Sequence, residues 1–353
     1  MIRERALRHS SPPKPRPHAS TPAAFGRLRP LIDAGLRRAI ESLSPHLAPV
    51  AEYHLGWRDT EGREVQGDGG KAVRPTIALL AAEAMGADAA AALPGAVAIE
   101  LVHDFSLLHD DVMDGDRERR HRPTVWALFG LGQAIVVGDA LLALAELHLL
   151  EDRRPEAHEA AALLTRATAE MIQGQAEDLA FESRLDVSLD ECLGMTGRKT
   201  GALLSCAATL GGVLGGGDAQ SVDALRSFGR HLGLAFQAVD DVLGIWGDPA
   251  VTGKPAAGDL RQHKKSIPVV HALSSGGAGA SDVRRFLSNG EHDEGQVART
   301  VARLEDAGSR EWTLGLADQH LSAALDALKR RGLEPRAVEQ LEDIAVFVAR
   351  RDF

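Results

Sequence analysis

The chain is poor in aromatic residues, which make up 4% of its 353 residues and include a single tyrosine. Aromatic side chains favour strands, whereas the abundant Ala, Leu, Glu and Arg favour helices. No run alternates between apolar and polar positions for long enough to predict a strand. The 44% hydrophobic content is sufficient for a large buried core. The composition therefore predicts an all-α protein.

Cysteine and uninterrupted apolar runs are also scarce. Cys192 and Cys206 are far apart and match no metal-binding or redox spacing, which excludes a disulfide framework. With no signal peptide recognisable, we expect a cytoplasmic protein. The most apolar stretch, GQAIVVGDALLALAELHLL, is interrupted by Asp139, Glu146 and His148. It is therefore predicted to be a core helix and not a membrane span.

Basic charge is concentrated in the first thirty residues. Residues 1–30 contain seven Lys or Arg, one acid and six of the sixteen prolines, a net charge of +6. Since the whole chain carries −10, the remainder carries −10 − 6 = −16. An acidic body argues against nucleic acid as a partner, because binding it requires a basic face. The stretch RHSSPPKPRPHASTP predicts a disordered tail over residues 1–29, or alternatively a docking segment for a partner protein.

From residue 30 onward, apolar residues recur at helical spacing, which predicts one domain over residues 30–353. Two Gly/Pro-rich segments, residues 56–70 and 247–263, are predicted loops. The main helices are predicted over residues 31–43, 74–86, 93–114, 124–150, 156–182, 188–211, 219–246, 266–274, 295–305, 308–331 and 334–350.

Two acidic clusters close apolar helices. In LLHDDVMD, Asp110 and Asp114 lie one turn apart on one face, with Asp111 beside them. The segment AFQAVDDVLG contains Asp240 and Asp241. Like charges at such spacing cost a helix roughly 0.2–0.5 kcal/mol for each pair, so a cation is expected between them. Carboxylate oxygens without soft ligands suit Mg²⁺; the alternative for either cluster alone is a solvated helix end.

Basic residues follow the first acidic cluster and adjoin the Gly-rich segments. Guanidinium groups form planar forks for phosphate oxygens, and glycines let backbone N–H groups approach an anion. Each cation alone is an ordinary surface charge, but together with the acidic clusters they predict metal-bridged, highly anionic substrates. The segment GDGGK lacks the spacing of a P-loop. The cations are Lys71, Arg74, Arg119, Arg120, Lys199, Lys254 and Lys264.

The motifs occur in the order found in one known family. The chain resembles the trans-isoprenyl diphosphate synthases, or polyprenyl synthetases, from about residue 30 to 350, and the first cluster is similar to their DDxxD motif. The resemblance implies a single all-helical domain around a deep central cavity, usually a homodimer. It also implies that the protein condenses isopentenyl diphosphate with an allylic diphosphate. The implied cofactor is Mg²⁺, with three ions bound when substrate is present. The motifs are GGKAVRP, LVHDFSLLHDDVMD, RRHRPT, GDALL, GQAEDL, KTGAL, GLAFQAVDD and GKPAAGDL.

The resemblance implies roles for the acidic residues. Asp110 and Asp114 would bind Mg²⁺ on the allylic diphosphate, with Asp111 in support. Asp240 would bind a further ion, with Asp241 in support. The residues expected to act in catalysis are Asp110, Asp111, Asp114, Arg119, Lys199, Asp240 and Lys254.

The resemblance also implies two sets of substrate-binding residues. The allylic diphosphate would be held by Arg119, Lys199 and Lys254. Isopentenyl diphosphate would be held by Lys71, Arg74, His103 and Arg120. Thr200 belongs with the substrate-binding residues, Phe236 and Gln237 would border the two sites, and Lys264 would close the cavity from its loop.

Phe105 bears on product length. It precedes Asp110 by five residues, about 7.5 Å along a helix. In the family that the chain resembles, an aromatic residue here forms a floor that stops elongation at about fifteen to twenty carbon atoms. We therefore expect farnesyl or geranylgeranyl diphosphate as product; the alternative is that Phe105 only packs in the core.

The chain departs from the family pattern at three positions. Gly244 stands where the second motif has a third Asp, and His121 and His263 stand where glycine is usual. Asp248 could substitute for the missing carboxylate through water, although WGDP is typical of a turn. These departures leave open a non-catalytic or partner-dependent subunit. A class I terpene cyclase is a further alternative, but its N-D-x-x-S-x-x-x-E motif is missing.

The Pro-rich extension adds an expectation about partners. Together with the DDVLGIWGDP variant, it resembles synthases packaged as cargo in encapsulin shells, where such a tail acts as the loading segment. The expectation is a protein inside a nanocompartment, and the alternative is an inert extension.

Overall fold

The computed structural model describes residues 21–65, 70–248, 256–289, 293–329 and 332–350, and it confirms the all-α fold class. A 3₁₀ turn, Ala89–Ala92, precedes α4, and a π-helical turn, Gly197–Gly201, joins α8 to α9. The strands β1 Glu118–Arg119 and β2 Arg122–Pro123 pair antiparallel. The helices are α1 Ala23–Ile40, α2 Ala48–His54, α3 Val73–Ala84, α4 Leu93–Met113, α5 Val125–Phe129, α6 Leu131–Leu150, α7 Ala157–Glu182, α8 Leu189–Thr196, α9 Ala202–Leu214, α10 Ala219–Trp246, α11 Gly258–Arg261, α12 Ile267–Ser274, α13 Gly277–Ser288, α14 Glu294–Asp306, α15 Ser309–Leu328 and α16 Pro335–Ala349.

The long helices pack around α4 and α10. Helix α4 packs mainly against α6, α3 and α9, and α10 packs mainly against α15 and α9. Helices α3 and α9 approach closely because Gly211 has no side chain; a Cβ there would lie 2.0 Å from the carbonyl oxygen of Ala78. One full turn of α3, from Ile77 to Leu80, is completely buried, and burial of each Leu or Ile side chain contributes about 1.5–3 kcal/mol.

Local signals explain the helix boundaries that position the acidic clusters. Helix α4 begins with Pro94 in its first turn, and its last turn carries the first cluster before Gly115 takes φ 68°. Helix α10 begins where the Asp218 side chain accepts a hydrogen bond from the Ser221 amide at 2.8 Å. Its observed bounds, Ala219–Trp246, match the prediction.

The structure corrects several predicted boundaries. Helix α1 begins at Ala23, so the proposed limit of the tail at residue 29 is wrong; Phe25 and Leu28 are buried and hold this turn in the core. Residues 1–20 lie outside the described part. The predicted helix over residues 124–150 is divided at Gly130, whose φ is 92°. Helices α2, α11 and α13 were not predicted, and α11 lies within residues 247–263, which were predicted to be a loop.

Helix α6 also differs from its prediction. The segment Ala89–Met113 and α6 are both long and apolar enough, by length and composition alone, to cross a membrane. The apolar window of the first is 67% buried, whereas that of α6 is only 33% buried. Leu131, Val136, Leu147 and Leu150 of α6 are each more than half exposed. The prediction of a core helix is therefore wrong for one face of α6.

Candidate active site

One cavity of about 1640 Å³ brings the two acidic clusters together. The clusters are 130 residues apart in sequence (240 − 110), but α4 and α10 both line this cavity with their C-terminal turns. Apolar side chains from α4, α6 and α7 form another part of the wall, among them Phe105, Leu142 and Met171. The cavity thus has a charged region beside an apolar one. Its predicted lining residues include Asp110, Asp114, Asp240, Lys71, Arg74, His103, Arg119, Lys199, Thr200, Phe236, Gln237 and Lys264.

Asp110 and Asp114 face the cavity from the last turn of α4. Burial raises the pKa of Asp110, and the positive charge of Lys199 opposes this shift. The Lys264 ammonium donates a hydrogen bond to Asp114 Oδ2 at 3.0 Å. Burial lowers the pKa of Lys264, but Asp114 and other carboxylates outweigh it, so the net pKa is raised. Lys264 is therefore a fixed positive charge beside the first cluster.

Asp111 does not line the cavity. Its side chain is 3% exposed, and its Oδ1 atom lies 2.7 Å from both Nε and Nη2 of Arg119. Burial raises the pKa of Asp111, and the hydrogen bond from Arg119 opposes the shift. Arg119 itself lines the cavity. The carboxylate of Asp111 thus orients the guanidinium of Arg119, an indirect contribution to the site.

Both residues of the second cluster line the cavity, but the carboxylate of Asp241 is held by protein donors. Asp241 is buried, and its Oδ1 accepts a hydrogen bond from Gln237 Nε2 at 2.7 Å. Its Oδ2 accepts one from the Ile267 amide at 2.8 Å. Burial, aided by the charge of Asp259, raises the pKa of Asp241 to about 7. Thr200 Oγ1 donates to Gln237 Oε1 at 2.7 Å, so Thr200, Gln237 and Asp241 form one chain of hydrogen bonds.

Lys199 lies in the π-helical turn between α8 and α9. π-turns alter the direction of side chains locally and are frequent at functional sites. Gly174 of α7 permits this turn, since a Cβ there would lie 2.4 Å from the Lys199 backbone nitrogen. The Lys199 ammonium donates to Asp178 Oδ2 at 2.5 Å. Asp178 also lines the cavity and was not predicted, although it belongs to the GQAEDL motif.

Three further basic residues belong to the cavity wall. Lys71, Arg74 and His103 all line it, and Lys71 Nζ lies 4.7 Å from the ring centroid of Phe347. Burial, and then the positive charges of Arg74 and Arg120, lower the pKa of His103 well below its ordinary value. His103 is therefore uncharged near neutral pH. Arg120 is not part of the cavity wall and lies against Gly70 instead.

Phe105 is 7% exposed and lines the cavity. Its ring packs edge-on against His109, with centroids 4.8 Å apart. His109 in turn fits because Gly138 has no side chain; a Cβ there would lie 2.4 Å from His109 Nε2. Gly138 of the GDALL motif therefore makes room for the His109 ring, which packs against Phe105.

The backbone conformation explains why glycine is usual at two of the three positions where the chain departs from the family pattern. His121 and His263 adopt φ values of 58° and 54°, in the left-handed region that glycine occupies without strain. Glycine is thus conformationally suited to both positions, and histidine is tolerated there at a cost of about 1 kcal/mol each. The predicted site residue Lys254 lies outside the described residues.

Comparison with known proteins identifies the family. A family model described as polyprenyl synthetase matches residues 59–304. The (2E,6E)-farnesyl diphosphate synthase of Mycobacterium tuberculosis is 44% identical over 351 residues, 98% of each chain. The geranylgeranyl diphosphate synthase of the same organism is 40% identical and covers 94% of this chain and 96% of its own. The crystal structure of a polyprenyl synthetase from Streptomyces coelicolor A3(2) superimposes with a TM-score of 0.87 at 50% identity, covering 92% of this chain and 98% of its own.

The three relatives match over nearly the whole length of both chains. The chain belongs to the polyprenyl synthetase family, as its motifs led us to expect. It is a prenyltransferase.

The carboxylates that face the cavity suit a hard divalent cation. Asp110, Asp114 and Asp240 offer oxygen ligands only. Among the described residues, no three His, Cys, Asp or Glu side chains converge on a closed metal site. Mg²⁺ fits this arrangement, because it retains waters and is commonly held by one or two carboxylates together with substrate phosphates.

Proposed function

We propose that the chain condenses isopentenyl diphosphate with an allylic diphosphate, with Mg²⁺, to give prenyl diphosphates of fifteen to twenty carbon atoms. The observation that carries this proposal is the shared cavity, which joins carboxylates from α4 and α10 to two groups of cations. Two diphosphates require two anion-binding regions. Arg119 and Lys199 serve the allylic diphosphate, with Lys254 expected beside them, and Lys71, Arg74 and His103 serve isopentenyl diphosphate.

The reaction begins when the allylic C–O bond breaks and the diphosphate leaves with the electron pair. Asp110, Asp114 and Asp240 would hold Mg²⁺, which would supply positive charge to the leaving group. Arg119, oriented by Asp111, donates hydrogen bonds to the same phosphate oxygens. Because these groups are in place before the bond breaks, little reorganisation is needed as negative charge develops.

The carbocation at C1 is then attacked by the double bond of isopentenyl diphosphate, which forms the new C–C bond. The condensed cation then loses a proton to the departed diphosphate, and the electrons of that C–H bond form the new double bond. His103 remains uncharged and can donate a ring N–H to isopentenyl diphosphate without adding charge. The apolar wall protects the carbocation from water.

Product length depends on the apolar end of the cavity. Phe105 occupies the wall one to two turns below the first acidic cluster, and the His109 ring supports it. A growing chain that extends from the diphosphate along α4 meets this ring. The relatives named as farnesyl and geranylgeranyl diphosphate synthases support a product in the same size range.

A second copy of the chain is the partner that we propose for α6. Leu131, Val136, Leu147 and Leu150 of α6 are each more than half exposed. Exposed apolar surface of this kind commonly marks a protein–protein interaction site. Phe129 of α5 adds an aromatic ring that is 39% exposed. Two such faces from identical chains would cover each other in a homodimer.

The basic N-terminal tail is proposed as a loading segment for an encapsulin shell. Co-expression with a shell protein tests it: deletion of residues 1–20, which ends before α1, should abolish co-purification while turnover is retained. Retained co-purification would refute the proposal. We propose a cytoplasmic location, with or without a shell.

The primary experiment follows incorporation of radiolabelled isopentenyl diphosphate, with dimethylallyl, geranyl and farnesyl diphosphates offered separately, with and without Mg²⁺. Mg²⁺-dependent formation of prenyl diphosphates is expected for the wild type and for the surface control Asp326→Asn, and loss of at least about 100-fold is expected for Asp110→Asn. No condensation with any starter, from protein that still binds diphosphates, would favour the non-catalytic alternative. A terpene cyclase would instead release inorganic diphosphate from a single allylic substrate.

A further inference from the structure

The space beside Gly244 is occupied by the side chain of Asp259. An ideal Cβ on Gly244 would lie 2.2 Å from Oδ2 of Asp259 and 2.6 Å from its Cγ. No side chain larger than hydrogen fits unless the Asp259 carboxylate moves. Both residues line the cavity. The Asp259 carboxylate therefore stands beside the backbone position from which the third Asp of the second motif would project.

The chain returns to the end of α10 through α11, and this return positions Asp259. The Ala257 amide donates to the Ile245 carbonyl oxygen at 3.2 Å, which ties the start of α11 to the last turn of α10. Leu260 is fully buried and fixes the rotation of α11. The Lys264 amide donates to the Asp259 carbonyl oxygen at 2.9 Å. Asp259 is thus held by backbone contacts on both sides.

Asp259 shares the cavity wall with Asp240, Asp241 and Lys264. Because both oxygens of Asp241 accept hydrogen bonds from Gln237 and Ile267, that residue has an anchoring role. Although Asp241 also lines the cavity, its oxygens are held by protein donors, and Asp240 is the other carboxylate of DDVLG on the cavity wall.

We propose that Asp259 supplies the second carboxylate of the cation site at the end of α10, in place of a side chain at position 244. The proposal rests on the proposed function, since the cation is the Mg²⁺ that accompanies the diphosphate substrate. It assigns a role to the Asp of GKPAAGDL, and it explains why Gly244 is compatible with activity. It also predicts that Gly244→Asp impairs the site, because two carboxylates cannot share one position.

The test is isothermal titration calorimetry with inorganic pyrophosphate, with and without Mg²⁺, on the full chain. For Asp259→Asn, affinity in the presence of Mg²⁺ should fall by about 10-fold or more, whereas affinity without Mg²⁺ should be unchanged or higher, because a negative charge has been removed. Gly244→Asp should also weaken Mg²⁺-dependent binding. The exchanged pair Gly244→Asp with Asp259→Gly should recover it, and Asp326→Asn should match the wild type.

The outcomes separate this inference from the proposed function. If wild-type protein binds Mg²⁺-pyrophosphate and Asp259→Asn binds it equally well, the role of Asp259 is refuted while the proposed function stands. The same conclusion follows if Gly244→Asp binds better than the wild type. If wild-type binding shows no dependence on Mg²⁺, both the inference and the metal dependence of the proposed function fail. Melting temperatures measured without Mg²⁺ identify any variant that is unfolded.

Discussion

Asp111 and Arg119 form a partly buried ion pair in which Nε and Nη2 of the guanidinium both lie 2.7 Å from Oδ1 of the carboxylate. The partner of Arg119 is thus Asp111, the second of the two consecutive aspartates, and not Asp110 or Asp114. The three carboxylates of the first motif therefore have different tasks. Two face the cavity, and the third orients a cation that also faces it.

The Asp111–Arg119 pair predicts the effect of Asp111→Asn. The amide retains an acceptor but not the charge, so Arg119 should be held less firmly against the leaving diphosphate. We expect kcat to fall by about 100-fold, with KM for isopentenyl diphosphate changed little. Steady-state kinetics with each substrate varied in turn measures this. An equal rise in both KM values at unchanged kcat would contradict the assigned orienting role.

Gly174→Ala should displace the π-helical turn that carries Lys199. A Cβ at residue 174 would lie 2.4 Å from the Lys199 backbone nitrogen, and backbone cannot give way as a flexible side chain can. We expect weaker binding of the allylic diphosphate, by about 10-fold or more, and a lower melting temperature.

The matched control for Gly174→Ala is Gly315→Ala in α15. A Cβ on Gly315 meets no atom within 4 Å, so this change should be neutral or stabilise the protein by up to about 1 kcal/mol. Equal binding of the allylic diphosphate by both variants would show that the position of Lys199 does not depend on Gly174.

Phe105→Ala should lengthen the products. Removing the ring opens the cavity wall beside His109. We therefore expect products longer than twenty carbon atoms, measured by chromatography after the diphosphate has been removed. The control is Phe228→Leu, a fully buried core substitution outside the cavity wall, which should lower stability without altering product length. If Phe105→Ala gives the same products as the wild type, another residue must limit product length.

Glu100 predicts a pH dependence of stability. Burial first, and the nearby Asp104 second, raise its pKa to about 8, against the lowering effects of Arg74, Arg120 and Arg29. Because this pKa is above the ordinary value of 4.5, the folded state binds the proton more tightly than the unfolded state does. The free energy of unfolding should therefore decrease as the pH rises from about 4.5 to 8, by up to about 1.4 kcal/mol for each pH unit.

Urea denaturation at several pH values checks the role of Glu100. Glu100→Gln cannot ionise, so its stability should depend less on pH over this interval than that of the wild type. The exposed control Glu339→Gln should retain the wild-type dependence. Parallel curves for Glu100→Gln and the wild type would mean that another group controls the slope.

Substitution on α6 tests the proposed homodimer. Val136 is 53% exposed, and Val136→Arg would bury a charge in the interface if two copies cover this face. Sedimentation velocity should give twice the mass of one chain for the wild type and Val136→Ala, and the mass of a single chain for Val136→Arg. A wild-type monomer in this experiment would rule out the proposed partner.

The helices were largely predictable because their determinants are local. Apolar spacing, the Asp218 cap and the glycine after the first cluster lie within a few residues of the boundaries they define. The all-α fold class and the acidic clusters on α4 and α10 followed from such patterns. Helices α2, α11 and α13 escaped prediction. Helix α2 has only two turns and α11 only four residues within a Gly/Pro-rich segment, and α13 begins GAGAS, a sequence more typical of a loop.

The sequence by itself thus determined where the helices form, which residues carry charge and which family motifs are present. Only the tertiary structure decided which charges meet. Asp178 reaches Lys199, Lys264 reaches Asp114 across 150 residues, and Asp259 covers Gly244. These contacts depend on how α7, α10 and α11 pack around the cavity, and packing between distant segments leaves no periodic signal in the sequence.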